Sequence, residues 1–211
     1  MRMNTKNATH TSDGMGRMQL AAKRMTDILL AAVGLVALLP AFIIITLLLK
    51  IQRNGPVLFR QQRVGYHGRT FTIIKFRTMS SEIEEDGPQL VATCDGSNST
   101  RLEQFLRSHH LDELPQLWNV LKGDMSFVGP RPERQHFIRQ ILAVDERYRE
   151  IYRMRPGVTS EASLYNGYTD SLEKMIRRME MDLAYLRRRS LWLDLKILVK
   201  TVATLIQGKK I

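Results

Sequence analysis

The chain has 211 residues, enough for one domain or for a small domain with an anchor, and its 44% hydrophobic content excludes wholesale disorder. Its 32 lysines and arginines outnumber 21 acidic residues, and the net charge of +11 predicts acidic partners such as nucleic acid, anionic lipid or phosphate-bearing substrates. The single cysteine excludes an internal disulfide, and no cysteine–histidine spacing is typical of a zinc site.

The first 50 residues predict a polar tail followed by a membrane segment. Residues 1–17 are polar and rich in small side chains, so we expect a disordered tail. Residues 28–49 contain no charge, and as a straight helix they would be about 33 Å long, near the thickness of a hydrocarbon core. This run is too long for a signal peptide, and a soluble helix is seldom apolar on every face. We therefore expect residues 18–50 to enter a membrane.

The charges around this segment leave two arrangements open. Basic residues lie before it (Lys23, Arg24) and after it (Lys50, Arg53), so both flanks favour the cytoplasmic side. Pro40 near its middle predicts a kink. A hairpin that enters and leaves one face satisfies both observations, and a single span with a tolerated proline is the alternative.

Short strands and a loop are expected next. Residues 57–79 read as two strands with a turn at His67 and Gly68. Along residues 71–78 successive side chains are expected on opposite faces of the strand, which would place Ile73, Lys75 and Arg77 on one face. Residues 80–99 are acidic and then rich in small polar side chains, and they predict a mobile loop.

Most of the remaining chain reads as helical. Thr100 and Glu103 have capping-box spacing, Asp112 is a plausible N-cap of a second helix with Pro115 in its first turn, and Gly123 would end that helix. Residues 123–133 form a proline-rich segment for which we expect a rigid loop. Residues 133–153 and 172–206 predict helices, and the weakly charged end of the second suits a bilayer surface.

Asp112 is the strongest candidate for chemistry. A carboxylate at a helix N-terminus lies in a positive field, which should lower its pKa and attract phosphate oxygens. Such an aspartate could attack phosphorus and form an acyl phosphate, and acidic neighbours would suit Mg²⁺ shared with phosphate. The alternative is that Asp112 and Glu113 only begin a helix. Cations in strands and proline-fixed loops, among them Arg77 and Arg131, favour phosphate binding.

Several motifs occur in a recognisable order: MTDILLA, GPVLFRQQRVG, FTIIKFRTM, LDELPQLWNVLKGDMSFVGPRPE, RPGVT and SLWLDLKIL. Together they closely resemble the bacterial sugar transferase family, the monotopic polyprenyl-phosphate phosphoglycosyl transferases. The resemblance covers about residues 23–205. It implies a re-entrant helix-break-helix with Pro40 at the break, although this chain has Leu39 where the family often has serine.

The resemblance also implies roles for individual residues. Asp112 would be the nucleophile that displaces UMP, and Glu113 would support it; both would be candidate ligands of Mg²⁺. Other family positions imply substrate contacts at Lys75, Arg131, Arg155 and Asp182, to which we add Arg77. After the RPG motif this chain reads VTSEASLYNGYTD, where many relatives differ. The identity of the sugar therefore does not follow from the resemblance.

The resulting hypothesis is an α+β, mostly helical protein: a disordered tail (1–17), a re-entrant membrane hairpin (18–50), and a small catalytic domain (51–211) with a β-hairpin and interfacial helices. It would move a phosphosugar from a UDP-sugar to polyprenyl phosphate at the cytoplasmic face of the bacterial inner membrane, with Mg²⁺ as cofactor. Membrane lipid is an expected partner, nucleic acid is not, and a homodimer is left open. A non-catalytic membrane docking module is the alternative.

Overall fold

The computed structural model describes residues 11–52, 55–78, 99–166, 169 and 171–207. The expected mobile loop lies outside these residues, apart from Ser99, as do the first ten residues of the expected tail. The described chain is mostly helical with two two-stranded sheets, as expected for its fold class.

The elements alternate between helices and short strands along the chain. Those of the first half are α1 (Arg17–Ala37), α2 (Leu39–Ile51), β1 (Leu58–Val64), β2 (Thr70–Phe76), α3 (Arg101–Ser108) and α4 (Gln116–Lys122). Those of the second half are β3 (Ser126–Val128), α5 (Gln135–Val144), β4 (Gly157–Thr159), α6 (Glu161–Asn166), α7 (Leu172–Arg188) and α8 (Leu191–Ile206). Within the described residues, three 3-10 segments connect them: Tyr66–Gly68, Leu111–Glu113 and Glu146–Arg153.

The apolar segment forms two helices rather than one. Leu38 alone separates α1 from α2, and the two axes are bent by 59°. Pro40 is the second residue of α2, where its missing N–H costs no helical hydrogen bond. In the described chain no single helix is long and apolar enough to cross a membrane, whereas this bent pair meets the criteria of length and composition together. The break thus lies two residues before Pro40.

Two helical regions expose apolar side chains to the surroundings. On the bent pair the most exposed are Met18, Met25, Leu29, Val33, Val36, Leu39, Ile43, Ile44, Leu47 and Ile51. On α8 they are Leu191, Trp192, Leu195, Val199 and Val202. Exposed apolar surface of this extent is typical of a contact with lipid or with another protein.

Polar contacts fix the start of α1 to the rest of the protein. The ammonium of Lys23 lies 2.5 Å from a carboxylate oxygen of Asp194, whose other oxygen accepts from the Tyr185 hydroxyl. Arg24 donates to two carbonyls at the end of α4, and Asp27 accepts from the main chain of β3. These contacts fix the first half of the bent pair against the rest of the protein.

The β1–β2 hairpin confirms the predicted turn. The strands pair antiparallel from Leu58 opposite Phe76 to Val64 opposite Thr70, and His67 and Gly68 both have positive φ in the turn (55° and 71°). The expected alternation up to residue 78 is wrong, because β2 ends at Phe76. Arg77 lies beyond the strand and is buried together with both of its neighbours, Phe76 and Thr78.

The segment predicted as a rigid loop contains β3, which pairs parallel with β4: Ser126 lies opposite Gly157 and Val128 opposite Thr159. The main chains approach so closely that a Cβ on Gly129 would lie 2.2 Å from the Arg155 carbonyl oxygen. A glycine is therefore required there, and the contact joins two segments about 30 residues apart that the sequence had treated separately.

The two long predicted helices are each divided. Residues 133–153 form α5 and a 3-10 segment, and the Asp145 carboxylate caps the latter. Residues 172–206 form α7 and α8, because Ser190 is extended and caps the second helix. The expected disorder is wrong for residues 11–17, since Asp13 pairs with the buried Arg189 at 2.6 Å.

Candidate active site

The Asp112–Glu113 pair lies in the 3-10 segment before α4, not at the N-cap of that helix. His110 enters this segment in a left-handed conformation (φ 53°), and α4 begins after Pro115. Pro115 has no N–H to donate, so the regular hydrogen bonds of α4 begin after it. The predicted end of the helix is confirmed, since Gly123 has a φ of 100°.

Asn119 positions this unit against the hairpin and was missed by the sequence analysis. Its side-chain amide donates to the Thr72 carbonyl at 2.8 Å and accepts from the Ile74 N–H at 3.1 Å. The side chain is 1% exposed, so both hydrogen bonds are shielded from water. A polar residue between the apolar Leu117 and Val120 was the available signal. Through Asn119 the α4 unit is held next to the strand that carries Lys75.

Lys75, Glu113 and Arg131, to which the resemblance gave roles at the site, lie together. The Lys75 ammonium lies 2.5 Å from Glu113 Oε1, and the Arg131 guanidinium lies 3.7 Å from the same oxygen. Burial alone would raise the pKa of Glu113, but the charges of Lys75 and Arg131 outweigh it and lower the pKa to about 2. Glu113 is therefore a permanent anion that holds two cations at one place.

Asp112 behaves in the opposite way. Burial raises its pKa to about 6; the charge of Lys75 opposes this rise, and the smaller effect of Glu113 adds to it. The expectation that a helix-terminal field would lower this pKa is wrong, because the residue lies outside α4 and loses much of its hydration. Asp112 is still mostly ionised at neutral pH, and its poor hydration makes it a more reactive anion.

Arg155 does not lie with this cluster. Its guanidinium stacks over the Tyr66 ring at 4.7 Å and donates to the Gly123 carbonyl at 3.0 Å. Gly123 is at the far end of α4 from Asp112, about 10 Å along the helix axis. The contacts of Arg155 thus join the hairpin turn to the end of α4, and its predicted role as a substrate contact stays a prediction.

Asp182 is buried in α7 beside another charged group. Arg178 lies near it and pairs with Glu133 at 3.2 Å. Burial, the largest effect, and the neighbouring Glu133 raise the pKa of Asp182 to about 8, although Arg178 opposes them. At neutral pH this carboxyl is mostly protonated. It lies behind the loop that carries Arg131, so any effect on substrate would pass through that loop.

The protonation of Asp182 predicts a pH dependence of stability. Between about pH 4 and pH 8 the folded state holds a proton that the unfolded state has lost, so stability falls as pH rises. We expect this carboxyl to contribute up to about 1.4 kcal/mol per pH unit to the slope. Chemical denaturation from pH 5 to pH 9 should show a shallower fall in Asp182→Asn. Glu180→Gln, on the exposed side of α7, should keep the wild-type slope; an unchanged slope in Asp182→Asn would contradict the assignment.

The acidic side chains of the site fit Mg²⁺ only if the ion is shared with substrate. Among the described residues no group of three or more acidic, histidine or cysteine side chains could hold a metal ion. Mg²⁺ usually binds one or two carboxylates and shares the remaining positions with substrate phosphates and water. Asp112 fits such a shared site. Glu113 already contacts Lys75 and Arg131, and would bind a metal only if Lys75 moved away.

Comparison with known proteins identifies the family. The model of the bacterial sugar transferase family matches residues 18–208, nearly the whole chain and all of the cluster described above. The chain belongs to the bacterial sugar transferase family. An uncharacterized sugar transferase of Bacillus subtilis, EpsL, is 37% identical over 190 residues, which cover 90% of this chain and 89% of the relative.

Other members of the family have named activities. A UDP-glucose:undecaprenyl-phosphate glucose-1-phosphate transferase of Klebsiella pneumoniae is 41% identical over 85% of this chain and 39% of its own length. A UDP-N-acetylgalactosamine-undecaprenyl-phosphate N-acetylgalactosaminephosphotransferase of Aeromonas hydrophila is 38% identical over 88% of this chain and 44% of its own length. The chain thus spans about two fifths of the length of these relatives, and their names differ in the sugar.

Proposed function

We propose that this member of the bacterial sugar transferase family transfers a sugar phosphate from a UDP-sugar to undecaprenyl phosphate or a similar polyprenyl phosphate. The observation that carries the proposal is the half-buried Asp112 beside a cluster in which Glu113 holds Lys75 and Arg131. A poorly hydrated carboxylate next to two cations suits an attack on a phosphorus atom, whose oxygens carry negative charge. The names of the relatives support the same reaction.

In the first step, a carboxylate oxygen of Asp112 attacks the phosphorus that carries the sugar. An acyl–phosphate bond forms, the phosphorus–oxygen bond to the nucleotide breaks, and UMP leaves with both electrons of that bond. Lys75 and Arg131 stabilise the charge that gathers on the phosphate oxygens. Asp112 would hold a bound Mg²⁺, which would neutralise charge on the diphosphate.

In the second step, a phosphate oxygen of the polyprenyl phosphate attacks the same phosphorus. The acyl–phosphate bond breaks, the Asp112 carboxylate is regenerated, and the product is a polyprenyl diphosphate sugar. Glu113 keeps its charge throughout because its pKa is far below neutral, so it holds Lys75 and Arg131 in place for both steps.

The proposal includes a membrane location. The bent α1–α2 pair would enter one leaflet and return to the same face, and α8 would lie on the surface of the cytoplasmic membrane with its exposed Trp192. The polar contacts of Lys23, Arg24 and Asp27 would hold the active site at a fixed height above the lipid. A site at the interface can reach one soluble substrate and one substrate with a lipid tail.

Intact-protein mass spectrometry tests the reaction. The purified protein is incubated with Mg²⁺ and each of a panel of UDP-sugars, without lipid acceptor. A mass gain of one phosphosugar is expected with at least one donor, and that donor names the sugar. UMP release only after polyprenyl phosphate is added, without an adduct, would show direct transfer instead. Neither adduct nor UMP release with any donor would favour a non-catalytic docking module.

A further inference from the structure

Arg77 is a buried cation outside the Lys75–Glu113–Arg131 cluster. Its side chain is 5% exposed, and all three guanidinium nitrogens are shielded from water without a hydrogen-bond partner among the residues that the structure describes. Burying a charge without a partner is costly, and native proteins rarely leave a buried arginine unsatisfied. A guanidinium kept in this state is typical of a site whose anionic partner is a ligand.

The position of Arg77 relates it to both the apolar helices and the active site. The preceding residue, Phe76, packs in one cluster with Ile45 and Leu49 of α2 and with Leu111 and Leu114 beside the acidic pair. Arg77 therefore lies where the end of α2 meets the segment that carries Asp112.

Gly55, just after α2, provides the space for the guanidinium. A Cβ at this position would lie 2.7 Å from Arg77 Nη1, and the φ of Gly55 is 113°. A larger residue would be strained there and would press on the guanidinium. The glycine thus lets the main chain approach a guanidinium that has no hydrogen-bond partner among the described residues.

The pair of Lys75 and Arg131 and the separate Arg77 are suited to different phosphates. Lys75 and Arg131 already contact Glu113, whereas Arg77 keeps its donors unused. Lys75 and Arg77 are two residues apart in nearly extended chain, so their Cα atoms are separated by about 6–7 Å. A phosphate held at Arg77 would therefore be a close neighbour of one held at Lys75, as an attacking phosphate must be.

We propose that Arg77 binds the phosphate monoester of the lipid acceptor, an inference that rests on the proposed function. The planar guanidinium can hold two phosphate oxygens at once. The exposed outer side of α2, with Ile43, Ile44 and Leu47, then offers an apolar path for the lipid tail. A UDP-sugar has no apolar tail to place there, so the acceptor is the substrate that fits.

Thermal unfolding of the full chain in nanodiscs tests the assignment without requiring turnover. Arg77→Met is compared with wild type and with Arg69→Met, an exposed arginine at the opposite end of the hairpin. Each protein is measured alone and with polyprenyl phosphate, UDP or phosphatidic acid. A ligand that binds the folded protein raises the midpoint of unfolding, Tm, by an amount that grows with the logarithm of its concentration relative to its Kd.

Polyprenyl phosphate should raise the Tm of wild type and of Arg69→Met, while Arg77→Met should bind it about tenfold more weakly or worse. Arg77→Lys keeps the charge but not the planar fork, and an intermediate loss is expected. UDP should raise the Tm of Arg77→Met and wild type equally. Without ligand, Arg77→Met should be as stable as wild type or more so, because it removes a buried unpaired charge.

Four results would overturn the assignment: equal binding of polyprenyl phosphate by Arg77→Met, loss of the UDP effect instead, an equal response to phosphatidic acid, or a large fall in Tm without ligand. The last would show that Arg77 pairs with the protein itself. If neither an adduct nor UMP release occurred with any donor, the transfer reaction would be refuted, whereas the binding of polyprenyl phosphate at Arg77 would still be decided by the unfolding measurements.

Discussion

Asp112→Asn is expected to abolish both sugar-phosphate transfer and the covalent adduct while leaving the protein folded. The amide has nearly the same shape as the carboxylate but cannot attack phosphorus as an anion. Loss of a nucleophile from an intact site lowers turnover by about 10⁴-fold or more. Release of UMP measures the turnover, and mass spectrometry of the same samples measures the adduct.

The stability of Asp112→Asn separates a catalytic role from a structural one. Burial raises the pKa of Asp112, which means that its charge is a burden on the folded state. At pH 7.5 the variant should therefore unfold at the same temperature as wild type or a higher one. Glu173→Gln, an exposed carboxylate at the start of α7, serves as the control and should keep full activity. Turnover near the wild-type rate in Asp112→Asn would refute the nucleophile assignment.

The features that the sequence predicted correctly have local causes. The capping box of Thr100 and Glu103 forms because two side chains three residues apart satisfy each other's main chain. The turn at His67 and Gly68 and the end of α4 at Gly123 need only residues that tolerate positive φ. The grouping of Lys75, Glu113 and Arg131 came from the resemblance to a family, since no local rule places them together.

The features that were missed depend on contacts between distant segments. The parallel pairing of β3 with β4 requires Gly129 to meet the main chain of Arg155, and a three-residue strand has no periodicity to reveal it. The raised pKa of Asp112 was missed for the same reason, because distant segments bury it. The charge state of Asp112 depends on how much water the folded chain removes, and this quantity outweighed the helix field that the sequence suggested.

The break between α1 and α2 was predicted only in part. Pro40 correctly indicated that the apolar run is not one straight helix, but Leu38 rather than the proline leaves the helical conformation. A proline is accommodated in the first turn of a helix, so it marks where a new helix begins and not where the old one ends. Contacts of Lys23 and Asp27 with distant segments fix α1, and the packing of Ile45 and Leu49 against Phe76 and Leu106 places α2, so no local pattern specifies the angle.

The pH dependence of adduct formation should report the charges around Asp112. Only the ionised carboxylate attacks, so the rate is expected to be half-maximal near pH 6 and to fall about tenfold per pH unit below it. Adduct formation is the step to measure, because the acceptor's phosphate monoester itself titrates near pH 6 and would obscure the second step. Single-turnover mass spectrometry from pH 4.5 to pH 8 gives this profile.

Two substitutions should move the acidic side of this pH–rate profile, its acid limb, in opposite directions. Glu113→Gln removes an anion that raises the pKa of Asp112, so its limb should lie at lower pH; Lys75→Met removes a cation that lowers the pKa, so its limb should lie at higher pH. Arg131 remains near Glu113 and keeps it charged in the second variant. Lys122→Met, an exposed lysine at the far end of α4, should leave the limb in place. Movement of both limbs in the same direction would contradict control by Asp112, because a group close to both charges must respond to their removal with opposite sign.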